Sequence, residues 1–363
     1  MKVYFFPPTS PFNPYIDNVV AGLETNGSEI VNKNCSNKYA KLLSSFSAMF
    51  KHTQIYHFNW IENNSAVDTK KNRLICASIF VWLRLMKIFG GNLVWTMHNK
   101  ESHFSEGNKE FHYQFMEKLI SRMDMILVHA SETKQFLIEE YHYPEDQICF
   151  VPHGNYLPEN KTEKPTQLIH DRLTILAFGM VNRYKNVPLL IRTFKGLELE
   201  DADLLIVGKC DSKDPQLKQN IMDELNGEDH IIYDDRFVPE EEVGGIFGKC
   251  DIVVLPYDKQ SMINSGAAIM AFSNAKPIIV SRFGSIKDIE DREFVYCYDY
   301  NTEEEHIREL GEAIKQTYSK WNKNKKILSS EGLEAYNYAK NDLSWNNIGR
   351  NIVECYEKIS RRK

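Results

Sequence analysis

The segment Asp251–Gly284 constrains the fold of this chain most strongly. An apolar run at 251–256 (DIVVLP) leads into a polar loop, a short helical stretch that opens at 264–266 (NSG), and a second apolar run at 276–281 (KPIIVS). Two buried strands joined through a helix are typical of a parallel βαβ unit, because parallel strands need a crossover connection. The pattern therefore predicts an α/β protein built on parallel sheets.

The same alternation of short apolar runs and longer amphipathic segments extends along the whole chain. The predicted strands are 2–6, 54–59, 93–98, 125–130, 147–152, 173–179, 202–208, 230–235, 251–256, 276–281 and 294–298. The predicted helices are 14–25, 70–89, 107–122, 187–196, 214–225, 239–248, 265–273 and 303–322. Because 363 residues exceed one ordinary hydrophobic core, we expect two domains.

A polar stretch at 154–166, with two prolines and no periodicity, is the best candidate for a linker between these domains. We predict domains at 1–160 and 167–342, and a C-terminal helix in 343–363 that packs back on the first domain. Both domains would be Rossmann-like and doubly wound. We expect them to face each other across a cleft at the carboxyl ends of both sheets, where ligands of such folds bind.

The composition argues against several classes of protein. The net charge of −6 lacks the basic excess of a nucleic-acid-binding protein. No apolar run approaches the ~20 residues of a membrane-spanning helix, and the start of the sequence resembles a first strand, not a signal peptide. The seven cysteines are odd in number and lack CxxC spacing, which predicts reduced thiols in a cytoplasm and no zinc site.

Two elements of the second half are suited to bind phosphate. A helix N-terminus attracts anions through its free N–H groups, and Ser265 and Gly266 open a helix just after a predicted strand. Earlier in the chain, Arg183 and Lys185 follow the strand 173–179. We predict that the two elements bind the diphosphate of a nucleotide sugar. The simpler alternatives are an ordinary N-cap and two solvated loop cations.

Several motifs resemble the C-terminal domain of GT-B glycosyltransferases, most closely the large family 4 group, which builds bacterial polysaccharides and lipid-linked glycans. The motifs are FGMVNRYKN at 178–186, RFVPEEEV at 236–243, CDIVVLPY at 250–257 and AFSNAKPII at 271–279. In the first half, TMHN at 96–99 and VPHGN at 151–155 also match. The resemblance implies the GT-B architecture of two facing Rossmann-like domains.

The resemblance also implies roles for individual residues. Arg183 and Lys185 would stabilise the leaving diphosphate, and His98 would contact the donor sugar. The expected donor-binding residues are Asn182, Phe237, Val238, Tyr257, Asn264, Ser265 and Gly266. The expected acceptor-side residues are Asn13, Tyr15, Asp17, Asn99 and His103. The simpler alternatives are a structural role for His98 and core packing for Phe237 and Val238.

One departure from the family concerns the donor ribose and the stereochemistry. Retaining members carry a Glu-x7-Glu motif, but Met262 and Met270 stand in these two places. Asp258 and Gln260 are nearby polar residues that would substitute for the ribose-binding glutamate, unless they are only solvated loop residues. The resemblance favours a retaining outcome. For an inverting enzyme the candidate general bases are His98, Glu101, His103 and Asp17.

We therefore predict a glycosyltransferase that uses a UDP- or GDP-sugar, needs no metal or other cofactor, and acts on a hydroxyl of a lipid-linked glycan in bacterial polysaccharide synthesis. The alternatives are a non-catalytic nucleotide-sugar-binding partner of another transferase and a UDP-GlcNAc 2-epimerase-like enzyme. The segment 70–89 has five cations and no acid. It predicts either contact with the anionic inner face of the plasma membrane or a sheet-covering helix with a cationic outer face.

Overall fold

The computed structural model describes residues 1–9, 14–33, 38–98, 109–157, 169–259 and 262–361, with the backbone alone for 38–43. The chain divides into two compact units. The first comprises Met1–Gly154 and Leu343–Lys363, and the second comprises Asn155–Asp342. Each unit contains a parallel six-stranded sheet within the described residues. The predicted α/β class with two doubly wound sheets is confirmed.

The first unit has its strands at β1 (Lys2–Phe6), β2 (Glu29–Ile30), β3 (Ile55–Asn59), β4 (Asn92–Met97), β5 (Met125–Val128) and β6 (Ile148–Phe150). Its helices are α1 (Tyr15–Thr25), α2 (Lys38–Phe50), α3 (Lys70–Ile88), α4 (Lys109–Ile120), α5 (Ser131–Tyr141) and α12 (Trp345–Ser360). The strand order is β2-β1-β3-β4-β5-β6. The order therefore reverses between β1 and β3, which makes this point a topological switch point.

The second unit has its strands at β7 (Leu173–Phe178), β8 (Ala202–Val207), β9 (Ile231–Asp234), β10 (Ile252–Leu255), β11 (Ile278–Ser281) and β12 (Val295–Tyr298). Its helices are α6 (Val187–Lys195), α7 (Pro215–Leu225), α8 (Glu240–Gly248), α9 (Gly266–Ser273), α10 (Glu303–Lys323) and α11 (Ile327–Asn341). The strand order is β12-β11-β10-β7-β8-β9. This is the order of a Rossmann fold, and its switch point lies between β7 and β10.

The strands are apolar throughout because helices cover both faces of the sheets. In β4, Leu93, Trp95 and Met97 pack into one core and Val94 packs into the other, as expected from the alternation of side chains along a strand. Parallel sheets need this double burial, so the apolar runs in the sequence locate the central strands well.

Helix α12 packs against α1 within the first unit. The contact is close because a Cβ atom on Gly22 would collide with the backbone of Trp345, and one on Gly349 would collide with the backbone of Gly22. A disulfide between Cys149 on β6 and Cys355 on α12 also joins the helix to the sheet. The prediction that all the thiols are reduced is therefore wrong for this pair, because spacing in sequence does not reveal a contact across 206 residues.

The sequence patterns do not predict four elements, namely β2, α2, α5 and α11. The strand β2 has only two residues, and two of the three helices carry weak amphipathic patterns, so periodicity gives little signal. Much of the predicted linker, from residue 158 onward, lies outside the described residues. In the described part of the chain, none of the helices combines the length and the apolar character needed to cross a membrane.

Candidate active site

The switch point of the second unit brings together the two predicted phosphate-binding elements. The loop after β7 and the loop after β10 are joined by two hydrogen bonds. The side-chain amide Nδ2 of Asn186 donates to the Pro256 carbonyl at 3.0 Å, and the backbone N–H of Asp258 donates to the Tyr184 carbonyl at 2.7 Å. Ligands of doubly wound folds bind at this position, so the geometry favours a ligand site here.

Lys185 holds its ammonium group over the carboxyl end of β7. Its Nζ donates to the Phe178 carbonyl at 2.9 Å. Among the described residues it has no carboxylate partner, and burial lowers the pKa of Lys185 to about 8. A cation that is desolvated without a counterion is costly. The arrangement is therefore suited to a ligand that brings negative charge.

Tyr257 connects this lysine with the start of helix α9. The Lys185 Nζ lies 5.8 Å from the centre of the Tyr257 ring, and the Tyr257 hydroxyl is hydrogen-bonded to Ser265. Ser265 is the N-cap of α9, since its Oγ accepts a hydrogen bond from the Ala268 N–H at 3.2 Å. One buried tyrosine thus fixes the cation and the helix N-terminus with respect to each other.

Tyr156 is a residue of this site that the sequence analysis misses. A Cβ atom on Gly266 would lie 2.9 Å from the Tyr156 hydroxyl oxygen, so the hydroxyl occupies the space beside the first residue of α9. The Tyr156 backbone N–H donates to the Ser273 Oγ at 2.9 Å and thereby anchors the tyrosine to the same helix. Tyr156 directly follows the VPHGN motif, but that motif alone does not indicate a contact more than a hundred residues away.

The other predicted donor-side residues occupy different environments. The Arg183 guanidinium is largely exposed and is bound to the carboxylate of Asp214, with its NH2 2.8 Å from Oδ1. Asn182 precedes the turn that contains Lys185, and Asn264 accepts a hydrogen bond from the Ser285 hydroxyl at 3.0 Å. Phe237 is 74% exposed, so it does not pack in the core as the simpler alternative supposes.

His98 lies at the carboxyl end of β4 in the first unit, near the switch point of that sheet. Its Nε2 is 2.9 Å from the Asn59 Oδ1, and its ring stacks on Trp60 with the centres 4.7 Å apart. Asn59 ends β3 and Trp60 follows it directly. The sequence analysis identifies neither of these two residues. A polar and an aromatic residue at the end of a predicted strand would have been the signal for them.

Four histidines gather around this edge of the first sheet. The rings of His98, His129 and His153 lie near the ring of Tyr15, with centres 5.0–5.8 Å from it. Burial, together with the nearby imidazole of His129, lowers the pKa of His57 to about 3 and that of His153 to about 3. Burial likewise lowers the pKa of His129 to about 4.

Burial and the other three imidazoles also hold the pKa of His98 well below its usual range. All four rings are therefore neutral at pH 7. Among the described residues, no group of three or more His, Cys, Asp or Glu side chains is arranged to hold a metal ion.

The predicted acceptor-side residues are only partly described. Tyr15 is buried, and its hydroxyl hydrogen-bonds the Nε2 of His129 at 3.2 Å. Asp17 is exposed in the first turn of α1. Five other predicted residues lie outside the described residues. They are the acceptor-side or general-base candidates Asn13, Asn99, Glu101 and His103, and the possible ribose partner Gln260.

Residues 172–320 match the family model of the glycosyl transferases group 1. This segment contains Lys185, Tyr257 and the N-terminus of α9. The segment is similar to the glycosyl transferases group 1. None of the curated proteins compared with the chain matches it in sequence.

Solved glycosyltransferase structures share the fold of the whole chain. A sucrose-phosphate synthase from Thermosynechococcus elongatus is 14% identical with a TM-score of 0.73, and the alignment covers 100% of each chain. A glycosyltransferase from Rickettsia africae is 15% identical with a TM-score of 0.67, covering 100% of this chain and 99% of that one. The chain therefore has the GT-B fold of these glycosyltransferases.

A third similar structure was determined with ligands. HepE from Anabaena, in complex with UDP and glucose, is 11% identical with a TM-score of 0.66, and the alignment covers 98% of this chain and 99% of HepE. At this identity the likeness shows the common fold. The predicted GT-B architecture is confirmed, and the match of residues 172–320 agrees with the predicted family.

Proposed function

We propose that this glycosyltransferase moves a sugar from a nucleotide diphosphate donor to a hydroxyl of a lipid-linked glycan in bacterial polysaccharide synthesis. The second unit would bind the donor diphosphate with Lys185 and the N-terminus of α9. The family resemblance favours a UDP- or GDP-sugar, a retaining outcome and a reaction without a metal ion.

The observation that carries this proposal is the ammonium group of Lys185 at the switch point, which has no carboxylate partner in the described part of the chain. A nucleotide diphosphate supplies the negative charge that the described surroundings of Lys185 lack. The free N–H groups at the start of α9 also favour an anionic ligand, and Tyr257 contacts both Lys185 and the N-cap residue of α9. Because Phe237 is exposed, it offers a face on which a nucleobase would stack.

The proposed chemistry follows from these charges. As the sugar–phosphate bond breaks, negative charge accumulates on the departing diphosphate. A cation and a helix N-terminus that are already in place stabilise this charge without reorganising, which lowers the barrier by several kcal/mol in comparable sites. Because the Lys185 pKa is only about 8, we expect a bound diphosphate to raise it and keep the amine protonated.

We propose that His98 contacts a hydroxyl of the sugar substrate. Its ring is neutral and held by Asn59 and Trp60, so it is suited to exchange a hydrogen bond with a hydroxyl but not to supply a positive charge. The possible ribose partner Asp258 is tied to the same switch point as Lys185 through its backbone N–H.

The test is a panel of UDP-, GDP- and dTDP-sugars offered with and without a lipid-linked glycan acceptor, with nucleotide release as the readout. We expect one donor class to be turned over and EDTA to leave the rate unchanged. Binding of a nucleotide without turnover under any acceptor would contradict transfer and favour the non-catalytic alternative. Interconversion of free UDP-GlcNAc epimers would favour the epimerase instead.

We further propose that helix α3 places the enzyme on an anionic membrane. Three large apolar side chains spaced seven residues apart, Leu74, Val81 and Ile88, share one face of the helix and are 72%, 61% and 67% exposed. At the end of this stripe, the rings of Phe50 and Phe89 contact each other with centres 5.2 Å apart and remain exposed. A concentrated apolar surface of this kind marks an interaction site.

The charges beside this stripe favour an anionic lipid surface as the partner. Lys70, Lys71 and Arg84 form no ion pair within the part of the chain that the structure describes, whereas Arg73 and Lys87 are paired with Asp68 and Asp124. The helix itself carries no acid. Each cation near an anionic bilayer contributes about 1 kcal/mol to binding, and the apolar stripe inserts at the headgroup boundary.

Vesicle flotation tests the membrane contact. The enzyme should float with phosphatidylglycerol-containing vesicles at low salt and much less with pure phosphatidylcholine. Val81→Asp should abolish flotation, whereas Met222→Asp, at an exposed apolar residue of α7 in the second unit, should not. Equal flotation of the wild type, Val81→Asp and Met222→Asp would contradict the proposal. A concentration-dependent dimer that buries the apolar stripe would also contradict it.

A further inference from the structure

The residues that follow β3 surround His98 on three sides. Asn59 accepts a hydrogen bond from the ring, Trp60 stacks on its face, and the Glu62 carboxyl group lies close to the His98 backbone N–H. Glu62 is held in turn by the indole N–H of Trp95 at 3.1 Å. The segment Asn59–Glu62 therefore fixes both the ring and the backbone of a single histidine.

The backbone of Trp60 shows that this arrangement is constrained. Trp60 has φ 53° and ψ 24°, in the left-handed region that a bulky side chain rarely adopts. Such a conformation costs roughly 1–3 kcal/mol and persists only where the surroundings impose it. Here it directs the indole onto the His98 ring at an interplanar angle of 24°.

The hydrogen bonds of Asn59 determine which nitrogen of His98 carries the proton. The Asn59 Nδ2 donates to the Phe6 carbonyl at 3.4 Å, so the amide turns its Oδ1 toward His98. An amide oxygen only accepts hydrogen bonds, and the Nε2 of His98 must therefore be the donor. In a neutral ring the proton sits on Nε2, which leaves a lone pair on Nδ1.

The neighbouring histidines have the opposite tautomer. The Nδ1 of His129 lies 2.7 Å from the Val151 carbonyl and the Nδ1 of His153 lies 2.6 Å from the Gly154 carbonyl, so both donate through Nδ1. The Nε2 of His129 accepts from the Tyr15 hydroxyl. The Nδ1 of His98 forms no hydrogen bond with any residue in the described ranges.

We propose that Asn59 is a positioning residue that keeps the proton of His98 on Nε2 and so presents Nδ1 as an acceptor for a hydroxyl of the sugar substrate. This inference rests on the proposed role of His98 in sugar transfer. It assigns the direction of the hydrogen bond, with the substrate donating and the enzyme accepting. A deoxy sugar that lacks the hydroxyl at the contacted position would then bind less well.

The variant Asn59→Asp tests this role through the pH dependence of the reaction. A carboxylate beside Nε2–H stabilises the imidazolium form, so the pKa of His98 rises. Once Nδ1 carries a proton it can no longer accept. We expect kcat/KM of the variant to fall at least about tenfold between about pH 8 and about pH 6, while the wild type changes little there.

The other groups around His98 bear on this pH profile. The groups that face it are His57 on β3, Glu62 in the turn after β3, Tyr15 on α1, His129 after β5 and His153 after β6. Of these, only Glu62 has a pKa near neutrality, about 7. The pH profile is therefore also measured in the Glu62→Gln background. There the additional Asn59→Asp change should produce the same decrease of kcat/KM toward acid pH.

The matched control is Asn92→Asp. Asn92 lies at the opposite end of β4, is also buried, and donates its Nδ2 to the Gln54 carbonyl at 3.1 Å. It should leave the pH profile unchanged. A loss of activity in Asn59→Asp that is equal at all pH values would mean that Asn59 is merely structural and would overturn the inference.

Nitrogen-15 spectra of the histidines in the wild type give a readout that needs neither the variant nor turnover. We expect the Nε2 of His98 to show the shift of a protonated nitrogen and Nδ1 that of a bare one. A proton on Nδ1 would overturn the inference whatever the activity. If the spectra agree but no sugar is transferred, the proposed function fails and not the tautomer.

Discussion

The carboxyl edges of the two sheets differ in their electrostatic character. The first unit gathers four neutral imidazoles, each of which hydrogen-bonds a carbonyl, amide or hydroxyl group through at least one ring nitrogen. In the second unit, the desolvated Lys185 has no carboxylate partner in the described residues and lies near the N-terminus of α9. The first arrangement suits neutral hydroxyl groups, and the second suits an anion.

The difference lies in the side chains and not in the fold. Both edges lie at a topological switch point, so the backbone geometry is similar. The side chains that follow the strands decide the rest. Asn59 and Trp60 at the end of β3 surround a neutral ring in one unit, whereas the loop after β7 carries the charged Lys185 in the other.

The largest difference between the units should appear in acid. The folded-state pKa values of His57, His129 and His153 are about 3, 4 and 3, below the ordinary 6.5. Below about pH 6.5 the unfolded chain binds protons that the folded unit does not, so stability falls as pH falls, by about 1.4 kcal/mol per histidine and pH unit. Among the described residues of the second unit, His306 alone has a clearly lowered histidine pKa, about 4.

We therefore expect the first unit to unfold at a higher pH than the second. Four of the five tryptophans lie in the first unit, and Trp321 lies in the second. Fluorescence of a Trp321→Phe variant then reports the first unit, and hydrogen exchange of β7 and β10 peptides reports the second. Unfolding of both units at the same pH would contradict the expected difference in acid stability.

The next largest effect is expected for Lys185→Ala. Loss of the cation that stabilises the departing diphosphate should lower kcat by about 100-fold or more. Arg183→Ala should cost less than about tenfold, because that guanidinium is already bound to Asp214. Because the Lys185 pKa of the free enzyme is about 8, kcat/KM should also fall as pH rises through this value, and Lys185→Arg should remove the alkaline fall.

The control for this prediction is Lys195→Ala. Lys195 ends the helix that follows this loop, but its Nζ donates to the Glu224 carbonyl and is paired with Glu228. Its removal should leave kcat unchanged. A Lys185→Ala enzyme with a normal rate and a normal melting temperature would show that the second unit does not bind the diphosphate through its cation.

The smallest effect concerns stability in the first unit. Burial raises the pKa of Glu62 from 4.5 to about 7. Between these values the folded protein keeps a proton that the unfolded chain releases, so stability falls as pH rises through this window. Glu62→Gln keeps an acceptor for the Trp95 indole and removes this cost, and we expect it to raise the free energy of unfolding at about pH 8 by roughly 1–3 kcal/mol.

Glu331→Gln in the second unit is the opposite case. Glu331 is similarly buried but is paired with the Lys320 ammonium at 2.7 Å and the Tyr296 hydroxyl at 2.6 Å. Loss of its charge should destabilise the protein. Urea unfolding of both variants measures whether the free energy of unfolding rises for Glu62→Gln and falls for Glu331→Gln. A destabilised Glu62→Gln variant would show that the Glu62 carboxylate is stabilised by contacts beyond Trp95 and His98.

Much of the architecture can be predicted from local sequence. The central strands are apolar runs because both faces of each sheet are covered, and β7 and β10 are predicted to within one or two residues. The helix start at Ser265 is readable because capping depends on neighbouring residues. Lys185 and His98 are found because each closely follows a recognisable strand.

Other features cannot be predicted from the sequence alone because they depend on contacts between distant segments. The Cys149–Cys355 disulfide joins residues 206 positions apart. The Tyr156 hydroxyl fills the space beside Gly266, and Arg183 turns toward Asp214. Spacing carries no information on such pairs, since any of the many polar residues in the loops is a possible partner.

The sequence by itself determined the parallel sheets, their doubly wound class and the strand ends at which the candidate residues stand, because side-chain periodicity and capping are local effects. The tertiary structure alone decided which side chains meet at those ends and in which protonation state. Burial and hydrogen bonding set the proton of His98 and the lowered pKa of Lys185, and both arise only when segments far apart in the chain exclude water together.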